Sequence, residues 1–272
     1  MELTNENYFS VEASKEYMGA SQFKDFMKCE VDALAKINGE MEEQTKPMLV
    51  GSYVDAHFSG EMDGFKAKNP QIFKKDGTLL KDFEQANDII AAIESDELMM
   101  KYLNGKHQVI MTGEIAGVKF KIKVDSLLDD VIVDQKIMAS IKELIWVEKN
   151  GRNVKTDFVE CYGYDIQGAI YQEIVRQNTG KKLPFVLAVA TKEKNPDKAL
   201  IQIDQEYLDA ALRLVEQLAP HFDTVKQGIV APVGCGRCAS CRKDLKVDGI
   251  VMYSKLFNKV EENEDGETQD VQ

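Results

Sequence analysis

From Val118 to Asp125 the chain alternates without a fault. Val118, Phe120, Ile122 and Val124 are apolar; Lys119, Lys121, Lys123 and Asp125 are charged. Period-two patterning is satisfied by an extended strand with one face buried and the other polar. A turn at Leu128-Asp129-Asp130 follows, then the short apolar run Val131-Ile132-Val133 leading into Asp134-Gln135-Lys136. Two strands joined in this way bring Asp125 and Asp134 to one edge, and Asp134 and Lys136, two apart, share a face. Carboxylates that close repel one another, and a divalent cation removes that cost.

The patterns on either side predict an α/β sandwich built on one mixed sheet. Residues 19–38 are expected to form one helix capped by Ser21, with Phe23, Phe26, Met27, Leu34 and Ile37 as its apolar stripe. Further helices are expected over 48–58, 79–93 and 96–103, with Ser95 as the cap between the last two. Strands are expected at 108–115, 118–125, 130–136, 183–190 and 199–203. A long helix is expected over 156–177, ending near Gly180. A last helix, capped by Asp204, runs towards Gln227 and meets Pro220, which should kink or end it.

The chain has 272 residues, 44% of them hydrophobic, which is enough for a substantial core. Residues 1–258 read as a single domain. Residues 259–272 read as an acidic disordered tail that solubilises, or alternatively mimics DNA or binds a partner. The formal net charge is −12, and the six acids of residues 261–272 leave −6 for the rest. That balance argues against indiscriminate nucleic-acid binding but not against one basic groove. No apolar run approaches the ~18 residues of a membrane span. The opening Met1-Glu2-Leu3-Thr4-Asn5 is not basic-then-apolar, so a cytoplasmic location is expected.

The acidic pair carries chemistry only in company. Asp125 and Asp134 can hold Mg²⁺ or Mn²⁺, with the backbone carbonyl of Gln135 as a further oxygen ligand. Lys136 can orient or deprotonate a bound water, which completes the parts needed to hydrolyse a phosphodiester. Glu114 can supply a third carboxylate or position a water, and His57, in Gly51-Ser52-Tyr53-Val54-Asp55-Ala56-His57, can reach a second metal. Gln167 and Tyr171, four apart on the long helix, share a face that can hold phosphate or water. Lys119, Lys121 and Lys123 lead along one strand face towards Asp125, a track for a DNA backbone.

In this order, Gly51 to His57, Glu114, Asp125, Asp134-Gln135-Lys136 and Gln167 to Tyr171 resemble the RecB/RecE-type nucleases of the PD-(D/E)XK superfamily, the phage and prophage exodeoxyribonuclease VIII kind. Ala20-Ser21-Gln22-Phe23-Lys24 is similar to that family's opening helix, and Val124 stands where the family name has proline. The resemblance spans residues 17–243 and implies a restriction-endonuclease-like core, a mixed sheet flanked by helices. It implies an Mg²⁺-dependent exonuclease acting 5′ to 3′ on double-stranded DNA ends in recombination. A ring-shaped homo-oligomer and a single-strand-annealing partner are implied as well. The alternative reading is a non-catalytic DNA-binding protein held together by a metal.

Cys235, Cys238 and Cys241 are separated by two-residue gaps in a glycine-rich knuckle at 234–243. Three thiolates that close bind a soft metal if a fourth ligand arrives, and Cys29 or Cys161 can provide it. The arrangement is similar to iron–sulfur nucleases of the superfamily, some working with a helicase or in DNA capture, in which one early and three late cysteines join the ends of the domain. A 4Fe–4S cluster and Zn²⁺ are both compatible with the spacing. Arg237, Arg242 and Lys243 stud the knuckle and are a second candidate DNA contact.

Overall fold

A computed structural model describes residues 1–40, 44–149, 152–243, 245–247 and 249–253. The expected tail at 259–272 lies outside these residues. The chain opens with α1 (Val11–Glu16), α2 (Ala20–Lys28) and α3 (Glu30–Ile37), followed by α4 (Lys46–Phe58), α5 (Met62–Lys68), α6 (Lys81–Glu94) and α7 (Glu97–Leu103). Then come β1 (Lys106–Ile115), β2 (Val118–Leu127), β3 (Ile132–Met138), β4 (Ile145–Lys149) and β5 (Arg152–Thr156). The remainder is α8 (Phe158–Tyr162), α9 (Tyr164–Thr179), β6 (Phe185–Thr191), β7 (Lys198–Gln202), α10 (Gln205–Lys226) and α11 (Ala239–Arg242).

Five strands form one mixed sheet in the order β1-β2-β3-β6-β7, parallel between β3 and β6 and antiparallel elsewhere. β6 is buried at every residue, as a strand covered on both faces must be. On one face Phe120, Ile122, Ile132, Phe185 and Leu187 pack against α2, α9 and α10. There Phe23 and Phe26 both meet the ring of Phe222 at 5.3 Å between centroids. On the other face Val133, Val186, Ala188 and Ala190 pack against α4, α6 and α7 through Val54, Ile89, Ile93 and Leu103. Among the described residues no helix is long and apolar enough to cross a membrane.

Several elements differ from expectation for identifiable reasons. The helix expected over 19–38 is broken at Cys29, whose extended backbone (φ −167°, ψ 115°) ends α2 and starts α3. Gly19, not Ser21, stands at the N-cap of α2. Between α6 and α7 the cap is Asp96, whose carboxylate accepts the N–H groups of Leu98 and Met99, while Ser95 donates its hydroxyl to the Ala92 carbonyl. The helix expected over 156–177 begins later: Thr156 closes the β4–β5 hairpin, and Gly163 (φ 61°) separates α8 from α9. Pro220 does not end α10, because it lies on the solvent side while Val215, Ala219, Phe222 and Val225 hold the helix to the core.

Candidate active site

The site begins where a strand ladder ends. β2 and β3 pair at Ser126–Val133 and Leu127–Ile132, a register that sets Asp125 across from Asp134. There the ladder stops and the strands part. Asp125 Oδ2 accepts the Gln135 N–H at 2.9 Å, so a carboxylate takes the donor that a strand carbonyl would otherwise receive. On the other side of β2, Gln108 leaves the β1 ladder opposite Asp125 with φ 51°. A left-handed glutamine inside a strand costs about 1 kcal/mol or more and persists only where its surroundings hold it. Its amide points at Asp55 of α4, with Nε2 3.4 Å from Oδ1.

Asp134 is buried. Its Oδ1 accepts the Gln167 amide of α9 at 2.7 Å, while its Oδ2 forms an ion pair with the Lys136 ammonium. Lys136 also sits over the ring of Tyr164, 5.1 Å from its centroid. Burial works against the lysine's charge, but Asp134 and Asp125 outweigh it and raise its pKa, so the ammonium is secured. Burial, with the nearby charges of Asp134 and Asp55, pushes the Asp125 carboxyl well above the usual carboxylate range. Burial raises Asp55 too, with Lys123 working the other way. Three carboxyls gathered in one place, of which two are reluctant to ionise, are a donor set suited to a hard divalent cation.

A cleft of about 890 Å³ opens over these groups. Asp55, Asp125, Asp134, Lys136, Gln167 and Tyr171 form part of its lining. The N-terminal segment supplies another wall, where Tyr8 is buried and Phe9 remains 75% exposed. Lys123 lies 5.6 Å from the Phe9 ring centroid.

The expected residues divide between those the cleft gathers and those it does not. Asp125, Asp134, Lys136, Gln167 and Tyr171 line it together, with Gln135 joined through its N–H to Asp125, although Tyr171 donates its hydroxyl to the Lys123 carbonyl at 3.1 Å rather than into the cleft. Glu114 is not among them. It pairs with Lys119 six residues up β2 from Asp125, which is about 20 Å away at strand rise. His57 turns to the other side of α4, where its Nε2 is 2.8 Å from Glu94 Oε1. Of the three lysines, Lys121 is buried, donating to the Tyr8 carbonyl at 2.5 Å and lying 4.7 Å from that ring's centroid. It braces the N-terminal wall and is not exposed to a DNA backbone. Lys119 is exposed, pairs with Glu16 and does not line the cleft, whereas Lys121 and Lys123 do.

Asp55 escaped the sequence reading, although a signal was present. It stands between the buried Val54 and Ala56, three residues after Ser52, a position where a carboxylate is desolvated without an obvious reason. Lys24 of α2 is a second omission. It donates to the Tyr162 carbonyl at 3.0 Å and shares the Tyr164 ring with Lys136. Burial, helped by the charge of Lys136, lowers its pKa to about 8.

A separate cluster lies at the break between α2 and α3. Cys29, Cys235, Cys238 and Cys241 bring their sulfurs within 4.8 Å of one another, and Cys161, on α8, is not part of the set. The N–H groups of Arg237 and Cys238 draw Cys235 down to about 6. Cys238 rises to about 12, because burial and the neighbouring sulfurs outweigh the N–H of Cys241. Thiols this close cannot all ionise unless they share a cation. Arg237 is engaged by Glu148 of β4 through Nη1 at 2.5 and 2.7 Å, while Arg242 is exposed.

The chain matches known proteins along nearly all of this fold. The family described as "PDDEXK-like domain of unknown function (DUF3799)" matches residues 19–244. A crystal structure from Eubacterium rectale, described as that of a "Putative exonuclease", is 49% identical. It superposes with a TM-score of 0.89 over 96% of this chain and 100% of that one. Among curated proteins nothing matches. The chain therefore belongs to the PDDEXK-like domains (DUF3799), and its mixed sheet flanked by helices is the PD-(D/E)XK nuclease fold.

Proposed function

We propose that this chain is a nuclease that hydrolyses phosphodiester bonds at double-stranded DNA ends with the help of Mg²⁺ or Mn²⁺. The observation that carries the reading is the meeting of Asp125, Asp134 and Lys136 in one cleft. Membership of the PDDEXK-like family and the likeness to a structure described as an exonuclease support it. Asp125, Asp134 and Asp55, with the carbonyl of Gln135, are the residues that would hold the cation. A divalent cation bound there supplies Lewis acidity and makes water a nucleophile near neutral pH. Lys136, kept charged by its acid neighbours, orients the attacking water and faces the negative charge that develops on the phosphate. Gln167 holds Asp134 in its rotamer, and Tyr171 fixes the backbone of β2 through the Lys123 carbonyl. Lys123 and the exposed Phe9 offer a charge for phosphate and a ring for a base. A 5′-to-3′ direction, a phage-type recombination role, a ring-shaped oligomer and a single-strand-annealing partner complete the reading on resemblance.

Digestion of an end-labelled linear duplex, with and without Mg²⁺, tests it directly. Mg²⁺-dependent release of label is expected, and the labelled end that disappears first gives the direction. Lys136→Ala is expected to lower the rate by about 10²-fold or more, the scale for removing one preorganised charge, while duplex binding persists. Cleavage by this variant at the parental rate rejects the role given to Lys136.

A further inference from the structure

The four-cysteine cluster distinguishes between the two kinds of metal its spacing allows. Cys29 Sγ lies 3.4 Å from Cys241 Sγ and 3.7 Å from Cys238 Sγ, and Cys235 Sγ lies 4.0 Å from Cys241 Sγ. Four thiolates bonded at ~2.3 Å to one tetrahedral ion stand ~3.8 Å apart. A 4Fe–4S cluster binds each thiolate to a different iron, and the width of that cluster spreads the sulfurs to roughly 6 Å. All four sulfurs here lie within 4.8 Å of one another, too close for a cluster to enter without reshaping the knuckle. We propose that Cys29, Cys235, Cys238 and Cys241 hold a single tetrahedral Zn²⁺ and not an iron–sulfur cluster.

The backbone is shaped to the same end. The N–H groups of Arg237 and Cys238 point at Cys235 Sγ at 3.5 and 3.3 Å, and that of Cys241 points at Cys238 Sγ at 3.4 Å. Cys235 N–H points in turn at Cys29 Sγ at 3.4 Å. Such donors orient metal-bound sulfurs and offset their negative charge. At Gly234 a Cβ would lie 2.8 Å from Cys241 Sγ, so a side chain there would collide with the sulfur. Ser240 Oγ donates to Asp32 at 2.6 Å, and Glu30 accepts the Val233 N–H at 2.7 Å. The ion would be a structural one with four protein ligands, which leaves no open position for substrate. It joins the α2–α3 break to a knuckle 206 residues later in the chain. That linkage holds the end of α2, the helix that carries Lys24 to the ring of Tyr164.

The inference does not rest on nuclease activity, and its test reads metal and thiols instead. The full chain is purified without oxygen from cells supplied with both iron and zinc, so that either centre can survive. One zinc per chain is expected, without inorganic sulfide and without the broad visible absorbance of a cluster. In the native protein the thiol reagent should reach Cys161 alone. Forced mercurial modification of the other four thiols should release the zinc in step with their loss. Cys161→Ser keeps the zinc, and Cys238→Ser loses it or binds it more weakly. Iron with matching sulfide, a single iron, or five freely reactive thiols without metal would each overturn the proposal.

Discussion

At the scale of one residue, Gln167 has the clearest untested consequence. Its amide donates to Asp134 Oδ1 at 2.7 Å and so turns Oδ2 towards Lys136. A hydrogen bond to a buried carboxylate is worth about 1.5–3 kcal/mol. Gln167→Ala should therefore lower kcat/KM by roughly 10- to 100-fold and raise the Mg²⁺ concentration needed for half-maximal activity. Duplex binding without metal should not change. A metal titration checks this: an unaltered Mg²⁺ requirement together with an unaltered rate would remove Gln167 from the site. The same scale explains what was legible in the sequence. Asp125 and Asp134 were legible because strand period fixes which side chains share an edge. His57 was misleading because a helix sends neighbours two apart to different sides, and the cleft takes Asp55 while Glu94 takes His57.

At the scale of elements, a hairpin and a helix give opposite predictions. Ala116 and Gly117 form the two-residue turn between β1 and β2, with φ of 50° and 80°. That is the primed turn geometry, which favours asparagine or glycine at its first position. Ala116→Asn should raise stability by roughly 0.5–1 kcal/mol, seen as a higher urea midpoint at unchanged slope, with activity intact. Gly168, beside Gln167 on α9, faces β6 and α10. A Cβ there would lie 2.6 Å from Phe185 Cδ1 and 2.9 Å from Leu208 Cδ2. Gly168→Ala should cost about 1–3 kcal/mol by overpacking and lower activity as well, because lifting α9 moves Gln167 from Asp134. A variant as stable as the parent would show that α9 can shift freely. The elements that the sequence hid share one cause: long-range partners override a local pattern. The apolar stripe of residues 19–38 continues past Cys29, but the chain bends there, beside cysteines more than 200 residues away. The strand pattern of β2 needs no distant partner to be read, and it was the most legible part of the fold.

At the scale of the whole molecule, the buried acids couple stability to pH and metal. Folding raises the Asp125 pKa, through burial first and then the charges of Asp134 and Asp55. Burial raises that of Asp55. Between the ordinary carboxylate pKa of ~4 and the raised values, the folded chain binds more protons than the unfolded one. The pH derivative of stability is negative there, so metal-free protein should lose stability as pH rises through that window. Carboxylates shifted the other way, such as Glu173 beside Arg176, act at lower pH, since their stabilisation is lost only on acidification below the ordinary range. The two effects are therefore separable. Mg²⁺ competes with protons for Asp125 and Asp55, so it should stabilise little near pH 4 and increasingly towards neutrality. The gain should reach about 2.7 kcal/mol when the ion is at 100 times its Kd. Thermal melts over a pH series, comparing dialysed protein with and without added Mg²⁺, read this without a chelator that would also strip the cysteine site. Asp125→Asn should be more stable than the parent in metal-free neutral buffer and should lose most of the Mg²⁺ response. An Mg²⁺ effect of equal size at every pH would mean that the ion binds elsewhere, and the cleft where β2 and β3 part would lose its claim to the metal.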